Sequence, residues 1–151
     1  MGHPDGNLKA ALESKGVKPM QAFVASLIAA FREVGVLNFG IVYMAAEKVG
    51  KRLAAIYGRE DSPAKSLAKV VDMLELGEFK VVEQEGVLVF TMRSESCKLC
   101  PRRVGGLELP GKLCPLPGLL SGFAGVPAEH DVKRDGEYCV IRLRTENPEA
   151  R

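Results

Sequence analysis

The sequence predicts an α+β domain in which N-terminal helices pack on a four-stranded antiparallel sheet made of two hairpins. Apolar residues recur at helical spacing over the first half of the chain, from Pro19 to Leu74. After Gly77, two pairs of short segments rich in β-branched and aromatic residues follow, and each pair flanks a turn signal. A loop rich in glycine, proline and cysteine separates the pairs. If the two hairpins pair into one sheet, the apolar face of that sheet must be covered by helices. The predicted domain therefore has one layer of helices and one layer of strands.

The first predicted helix begins at Pro19 and ends at Gly35. Residues 1–18 before it are expected to form a loosely ordered lead-in, with a short helix over residues 8–14. Because few polar residues interrupt the helix, it is expected to be largely buried. Its predicted core positions recur at helical spacing: Phe23, Leu27, Ala30, Phe31 and Val34.

Two further helices are predicted before the strands. The second follows Asn38 as a cap and runs to about Tyr57, and the glycine at position 50 indicates close packing of another element or of a ligand. The third opens with Ser62 as the cap and Pro63 as the first helical residue. The apolar stripe of the second helix is predicted to consist of Val42, Ala45, Ala46, Val49, Leu53 and Ile56.

The strand-forming segments come in two pairs. Phe79–Glu83 and Val87–Arg93 predict the first hairpin. Val126–Lys133 and Glu137–Arg144 flank an Asp-Gly turn signal at residues 135–136 and predict the second. An isolated hairpin is marginal in water, so that the two are expected to form one sheet.

The bulk properties fit one domain over residues 1–151, a common domain size. The net charge is only +2, from 21 basic and 19 acidic residues, so that neither nucleic acid nor an anionic membrane is expected as a partner. The longest apolar stretch, Ala22–Phe31, is too short to span a bilayer, and the N-terminus lacks a signal-peptide pattern. We therefore expect a cytoplasmic protein. Few Asn and Gln residues and many mixed charges are also typical of proteins from thermophiles.

Four cysteines lie in the last third of the chain, spaced Cys97-x2-Cys100-x13-Cys114-x24-Cys139. A Cys-x2-Cys pair on a tight turn presents two thiolates on one side, as a tetrahedral Zn²⁺ ion requires. Cys114 precedes a predicted helix over Pro115–Phe123, whose positive dipole end favours a thiolate. We therefore predict a structural Zn²⁺ ion with all four cysteines as ligands. Four thiolates leave this site a charge of −2, which nearby cations would offset: Lys98, Arg102, Arg103 and Lys112.

Other chemistries of the same cysteines stay open. Disulfide bonds would join Cys97 or Cys100 to Cys114 or Cys139, and some intracellular proteins of hyperthermophiles keep such bonds. A redox-active Cys-x2-Cys pair, an iron–sulfur cluster and plain buried thiols are further alternatives. A catalytic zinc would need an open coordination position and a general base.

The second hairpin supplies the candidates for a substitute ligand or a base, which are Glu129, His130 and Asp131. Their relation to Cys139 depends on the turn. A two-residue turn at Asp135-Gly136 places Val132 opposite Cys139, whereas a three-residue loop places Asp131 there.

The last third of the chain also contains an unusual combination of motifs. A cysteine–proline pair opens a helix with a Gly-x3-Gly spacing, and a Gly-x2-Cys strand follows. The segments are Cys114-Pro115-Leu116-Pro117-Gly118-Leu119-Leu120-Ser121-Gly122-Phe123, then Glu129, then Gly136-Glu137-Tyr138-Cys139-Val140-Ile141. In these segments the sequence resembles the 4-vinyl reductase (4VR) domain family. The earlier helix is compatible with it through Gly40-Ile41-Val42-Tyr43 and Gly50-Lys51-Arg52-Leu53.

This resemblance implies the ligand-binding fold also found in heme-dependent nitric-oxide sensors and in Golgi transport-tether subunits. It implies a pocket for small, hydrocarbon-like molecules between helices and sheet, a homodimer, and zinc beside the pocket at Cys114 and Cys139. The family often has another cysteine at the position of Asp131, and here Cys97 and Cys100 are expected to supply the missing ligands. The residues expected to line the pocket are Phe39, Tyr43, Ala46, Phe90, Leu119 and Phe123.

The favoured function is a zinc-containing sensor or regulatory module that binds an apolar small molecule, rather than an enzyme. The first alternative is a zinc-dependent enzyme or a reductase accessory protein, although the chain lacks a dinucleotide fingerprint, a Walker loop and a Gly-x-Ser-x-Gly elbow. The second is a zinc-ribbon-like nucleic-acid binder, whose basic loop would lack aromatic residues for base stacking. Small residues on the first two helices leave space for a ligand or bring the helices close: Ala25, Ala29, Ala30, Gly40, Ala45 and Ala46.

Overall fold

The computed structural model describes residues 13–14, 16–33, 35, 39–98, 114–129 and 132–145. Within these ranges the chain forms four helices and one four-stranded sheet, which confirms the predicted α+β class. The helices are α1 (Pro19–Glu33), α2 (Phe39–Tyr57), α3 (Pro63–Met73) and α4 (Leu116–Ala124). The strands are β1 (Phe79–Gln84), β2 (Val87–Arg93), β3 (Lys133–Asp135) and β4 (Tyr138–Arg144). The helix predicted over residues 8–14 lies largely outside the described residues. Among the helices of the described ranges, none is long and apolar enough to cross a membrane.

The strands form one antiparallel sheet in the order β1-β2-β4-β3. The central strands β2 and β4 pair over their full lengths, from Val87 opposite Arg144 to Arg93 opposite Tyr138. Side chains alternate between the two faces of a strand, so that every second residue faces the helices. The residues of β2 and β4 on that face are buried: Leu88, Phe90, Met92, Ile141 and Leu143.

The first hairpin forms from the two predicted segments, but its turn is one residue shorter than the three residues predicted between them. Gln84 pairs with Val87, so that Glu85 and Gly86 form a two-residue loop. Their φ angles are 47° and 80°. Two positive φ angles define a type I′ turn, whose twist matches that of the flanking strands.

The second hairpin differs from both predicted registers. Asp135 pairs with Tyr138, so that the turn consists of Gly136 and Glu137 rather than of Asp135 and Gly136. Only Gly136 has a positive φ, of 60°, as expected for a type II′ turn with glycine at its first central position. Arg134 therefore lies opposite Cys139.

The arm of this hairpin before the turn is also shorter than predicted. A continuous strand was expected from Val126, but regular pairing begins at Lys133. Ahead of it, Ala128 makes one isolated bridge to Leu143. Beside this bridge, the carbonyl oxygen of Pro127 accepts from the N–H of Arg144 and the N–H of Glu129 donates to the carbonyl oxygen of Arg142, both at 2.9 Å.

Helix α4 lies at the centre of the core, since each of its nine residues is buried. Helix α2 packs against it so closely that the two backbones are in contact. A Cβ atom at Gly122 would lie 2.1 Å from the carbonyl oxygen of Glu47, and one at Gly50 would lie 2.5 Å from that of Leu119. Gly118 meets the backbone of α2 in the same way. Only glycine permits this approach, and the prediction that Gly50 allows close packing of another element is confirmed.

Helix α1 is oriented in the opposite sense to the prediction. Phe23, Leu27 and Phe31 were expected in the core but are 58%, 41% and 43% exposed. The buried side chains are the small ones and one amide: Gln21, Ala25 and Ala29.

The contact between α1 and α3 explains this orientation. The side-chain amide of Gln21 donates hydrogen bonds to the carbonyl oxygens of Leu74 and Glu75, at 3.0 and 3.1 Å. These carbonyls follow the C-terminus of α3 and would otherwise lack partners in the helix. Because Gln21 must face the end of α3 to reach them, the large apolar side chains on the other faces of α1 point outward.

Helix α2 is exposed on the side opposite α4. Of its predicted apolar stripe, Val42 is buried and Leu53 is partly buried, but Val49 and Ile56 are 47% and 70% exposed. The stripe was misplaced because Gly50, rather than a large side chain, marks the centre of the α4-facing side. Glycine contributes nothing to a hydrophobic pattern, so that a contact built on it escapes pattern analysis.

Candidate metal centre and neighbouring cleft

Three of the four predicted zinc ligands lie among the described residues, and β4 positions the first of them. Cys139 lies directly opposite Met92 of β2. It shares the helix-facing side of β4 with Ile141 and Leu143 because side chains on one face of a strand are two residues apart. Its side chain is partly buried against the hydrophobic core.

Cys97 follows the same end of β2. A 3₁₀ turn, Ser94–Ser96, leads the chain away from the strand. The backbone N–H and hydroxyl of Ser94 both donate to the carbonyl oxygen of Glu137, which ties this turn to the β3–β4 turn. Just beyond, the N–H of Lys98 donates to the carbonyl oxygen of Leu76 at 2.8 Å. Cys97, held between these contacts, is buried in the core.

Cys114 immediately precedes α4, where Pro115 is the N-cap and Pro117 lies in the first turn. Its side chain is partly buried and packs against the same core cluster as Cys97 and Cys139. The first turn of a helix leaves backbone N–H groups without partners, and this positive end favours a thiolate. The helix predicted over Pro115–Phe123 is confirmed within one residue at each end.

The chain thus brings three cysteines, distant in sequence, to one core. Cys100, the fourth predicted ligand, lies outside the described residues, and so do the substitutes His130 and Asp131. Glu129 is described; it is exposed, and its N–H pairs with the carbonyl oxygen of Arg142. Within the described ranges, no group of three or more His, Cys, Asp or Glu side chains could hold a metal ion. Nor does a disulfide bond join the three described cysteines to one another.

Two cations flank the described cysteines. Lys98 follows Cys97 directly, and Arg134 is the cross-strand partner of Cys139. Both suit a neighbouring thiolate centre, because four thiolates on one Zn²⁺ carry an excess negative charge. The other predicted cations, Arg102, Arg103 and Lys112, lie outside the described residues.

An open cleft of about 330 Å³ lies beside Cys97. Ser96 and Lys98, the two neighbours of this cysteine, form one wall, and the end of α3 and the α3–β1 connection form the other. The Ser96 hydroxyl accepts a hydrogen bond from the N–H of Glu78 at 2.8 Å and donates to the carbonyl oxygen of Arg93 at 2.7 Å. The lining is mostly polar: Val71, Asp72, Glu75, Gly77, Glu78, Ser96 and Lys98.

Ion pairs set the charge at the rim of this cleft. The Lys18 ammonium donates to the Glu75 carboxylate and lowers the pKa of Glu75 below its ordinary value, and the charge of Lys98 adds a smaller effect in the same direction. Glu78 accepts from the Arg93 guanidinium at 3.4 Å and raises the pKa of that group. Both glutamates are therefore held in ion pairs at the rim of the cleft.

The described members of the set predicted to line an apolar pocket lie elsewhere. Phe90, Leu119 and Phe123 are buried in the core, and Phe90 stacks on Phe79 with ring centroids 5.8 Å apart. Ala46 faces α4, where a Cβ at Gly118 would come within 2.9 Å of its own.

The two remaining pocket candidates lie on α2. The Tyr43 hydroxyl is 3.4 Å from both the N and O atoms of Ala128. The side chain of Phe39 is not among those described. The described members of the set therefore belong to close contacts between α2, α4 and the sheet.

One interaction that the sequence did not predict is the pair of hydrogen bonds between Arg59 and the C-terminal end of α4. Arg59, just after α2, donates from Nε to the carbonyl oxygen of Phe123 at 2.6 Å and from Nη2 to that of Gly122 at 3.1 Å. The guanidinium thus binds the negative C-terminal end of the central helix. Gly125, with φ of 78°, ends this helix in the left-handed conformation. No local pattern links Arg59 to a helix more than 60 residues away.

Comparison with known proteins identifies a family. The model of the MJ0207 family matches residues 35–145, from before α2 to the end of β4. The chain belongs to the MJ0207 family. Protein MJ0207 of Methanocaldococcus jannaschii is 29% identical over 110 residues, which cover 67% of this chain and 71% of that protein. Protein MJ1342 of the same organism is 22% identical over 113 residues, which cover 67% of this chain and 96% of that protein. The matched region of the MJ0207 family thus contains all four cysteines and the cleft.

Proposed function

We propose that this member of the MJ0207 family is a zinc-stabilised, small-molecule-binding module of the cytoplasm rather than an enzyme. The observation that carries the proposal is that Cys97, Cys114 and Cys139 all pack against the same hydrophobic core, with Cys97 next to two residues that line a cleft. The three residues come from the end of β2, the start of α4 and the start of β4. Nothing in the hydrophobic pattern requires cysteine at three such separate junctions.

A structural zinc site suits these junctions. Cys100 would complete the set as the second ligand of the Cys-x2-Cys pair. Zn²⁺ has no redox chemistry and binds thiolates in a closed tetrahedron, which would link the sheet end, the helix start and the connection between them. In the cytoplasm, where thiols stay reduced, metal binding is the more common use of such cysteines. Lys98 and Arg134 would offset the charge of the thiolates.

The cleft beside Cys97 supports the binding role. Its volume of about 330 Å³ is at the lower end of the usual range for small-molecule sites. Because Ser96 and Lys98 flank Cys97, a metal that fixes the cysteine would also fix this wall. Carboxylates and an ammonium group on the lining favour a small polar ligand with charges of both signs. An apolar ligand at Ala46, Leu119 and Phe123 would instead have to separate α2 from α4, which are in backbone contact.

The resemblance to the 4-vinyl reductase domain enters the proposal through the Gly-x3-Gly segment of α4. Its Gly-x3-Gly segment is the part of α4 that contacts α2. We propose that both families use this spacing to bring two helices into backbone contact. The resemblance also implies an apolar ligand, and the binding experiment below tests for one.

Metal analysis tests the zinc. Protein purified without chelators is expected to contain one Zn²⁺ per chain, and Co²⁺ substitution is expected to give the strong visible absorption of a tetrahedral thiolate site. Each of the variants Cys97→Ser, Cys100→Ser, Cys114→Ser and Cys139→Ser should lower the metal content. Ser121→Ala, a buried change at the end of α4 away from Cys114, is the matched control and should keep the metal. A metal-free wild-type chain that folds normally would refute the proposal.

Ligand binding is tested separately. Native mass spectrometry of freshly purified protein would show a co-purified small molecule, and thermal-shift screening would compare polar with apolar compounds. Binding in the cleft predicts that Lys98→Ala weakens binding of a polar hit, whereas Lys51→Ala on the exposed side of α2 does not. An apolar hit that is insensitive to Lys98→Ala but lost in Ala46→Leu would place the ligand between α2 and α4 instead.

A further inference from the structure

Helix α1 has an unusual distribution of side-chain sizes between its buried and exposed sides. It buries Ala25 and Ala29, which are 0% and 2% exposed, and leaves its large apolar residues in solvent. These residues recur at intervals of three or four and therefore form one stripe along the helix. We define this α1 stripe as Met20, Phe23, Val24, Leu27 and Phe31.

We propose that the α1 stripe is the contact surface of a homodimer, in which α1 of one protomer packs antiparallel on α1 of a second copy. A helix normally turns its large apolar side chains towards a protein interior. Met20 and Phe23 are 70% and 58% exposed instead. Such a stripe on an amphipathic helix is expected to be covered by another surface.

The size of the stripe fits a pair of identical helices. At their exposed fractions, the five side chains present roughly 500 Å² of apolar surface, near the upper limit for a patch on a monomeric protein. Two copies would bury on the order of 1,000 Å², about the lower bound for a specific interface. A helix of 15 residues is roughly 22 Å long, so that the two stripes would overlap over their whole length.

The charge pattern of α1 favours a second copy over other occupants. From Pro19 to Phe31 the helix has no charged residue, so that symmetric pairing brings no like charges together. An anionic membrane surface would require a face rich in lysine and arginine, which α1 lacks. Nor does the stripe present charges that a partner of opposite charge would recognise.

The exposed side of α2 is a contrasting surface. It also exposes apolar residues, including Met44 at 62%. However, Lys48 and Arg52 lie on the same side, and both are exposed. Symmetric pairing of α2 with its own copy would bring these cations together, which is unfavourable. The α1 stripe is therefore the better surface for a two-fold axis.

The antiparallel geometry makes a specific arrangement testable. The stripe is centred between Val24 and Leu27, so that the two-fold axis passes there. Met20 of one protomer then lies near the partner's Phe31. Leu27 of each protomer lies near the partner's Val24 and within about one helical turn of the partner's Leu27, so that a charge introduced at position 27 comes close to its own copy.

A charge-exchange experiment tests the pairing. Sedimentation equilibrium of the full chain is expected to show a dimer at micromolar concentration. Leu27→Glu and, separately, Phe23→Glu are expected to raise the dissociation constant at least 100-fold, with the circular dichroism of the folded chain retained. Met44→Glu, a matched change on the exposed side of α2, is expected to leave the constant unchanged. Mixing Leu27→Glu with Leu27→Lys is expected to restore a dimer, because opposite charges then come close together near the axis.

Several results would overturn the inference. One such result is a wild-type chain that stays monomeric at a protein concentration on the order of 100 micromolar. Another is a dimer that persists in both Leu27→Glu and Phe23→Glu. Loss of the dimer in Met44→Glu alone would assign the contact to α2. Failure of the Leu27→Glu and Leu27→Lys mixture to associate would exclude the antiparallel arrangement about this axis. None of these results depends on zinc content, so that this test and the test of the metal site are independent.

Discussion

Gly122 of α4 lies directly against the carbonyl oxygen of Glu47 in α2: a Cβ atom at position 122 would be only 2.1 Å from it. The obstacle is backbone, which cannot rotate away as a side chain can. The contact fixes the distance between the central helix and the helix that covers it. Consequences for stability follow from this contact and from three others.

Gly122→Ala is expected to destabilise the fold by more than about 3 kcal/mol, because α2 and α4 must move apart to accept the added methyl group. The melting temperature should fall by roughly 6 °C or more for a chain of this size. Gly58→Asn is the matched control, since a Cβ at Gly58 meets only the flexible end of Lys69, at 3.9 Å, and asparagine tolerates the left-handed conformation after a helix. Thermal unfolding followed by circular dichroism measures both. Equal stability of the two variants would contradict the backbone contact.

Arg59→Ala removes two charge-assisted hydrogen bonds from the C-terminus of α4. The expected loss is about 1–2 kcal/mol, at the lower end for such bonds because Arg59 is itself exposed. Arg59→Lys should recover only part of this loss, because an ammonium group lacks the planar fork that reaches both carbonyls. Urea unfolding provides the measurement. Arg52→Ala, on the exposed side of α2, should change the free energy of unfolding by less than about 0.5 kcal/mol.

The ion pair between Lys18 and Glu75 predicts a pH effect. Since the folded-state pKa of Glu75 lies below its ordinary value of 4.5, the pair stabilises the fold above that value. This contribution is lost as the pH falls through the folded pKa. Lys18→Ala should raise the pKa of Glu75 towards 4.5, as NMR titration of the carboxylate would show. Lys65→Ala, which removes a different exposed pair with Asp61, should leave it unchanged.

Zinc removal is expected to loosen one end of the sheet more than the other. Cys97 and Cys139 lie at the end where Met92 pairs with Cys139, whereas Val87 pairs with Arg144 at the opposite end. After chelation, hydrogen exchange should accelerate most at the backbone amides around Cys139 and at the start of α4. Amides near Arg144 should change least. Uniform acceleration along β4 would contradict a local role of the metal.

Local rules were sufficient for most of the elements. Ser62 caps α3 as predicted, with its hydroxyl 3.2 Å from the N–H of Lys65, because a cap needs only residues three apart. The first hairpin was predictable from its two strand-length segments, whereas the positive φ of Glu85 in its two-residue turn was not, because residues other than glycine seldom adopt it. Strand β2 has the predicted bounds, Val87–Arg93, since its apolar residues cover a strand-length segment between turn signals.

The candidate site was predictable only as a set of residue types. The four cysteines stand out by spacing, but the place of the three described ones against one core depends on the pairing of β2 with β4 and on the position of α4. The cleft beside Cys97 could not be predicted, because its two walls come from residues 71–78 and 96–98, about 20 residues apart. The register at Cys139 was wrong because residue types alone did not decide which two residues form the turn.

The sequence by itself thus determined the order of helices and strands and most of their bounds, and it singled out the cysteines, because these depend on residues a few positions apart. Only the tertiary structure decided that α1 exposes its large residues, that Arg134 faces Cys139, and that α2 and α4 touch along three glycines. Each of these depends on contacts between segments distant in sequence. The pattern of apolar residues allows more than one way to pack these helices. The close approach at Gly122 decides how α2 packs on α4, and the hydrogen bonds of Gln21 decide which side of α1 is buried.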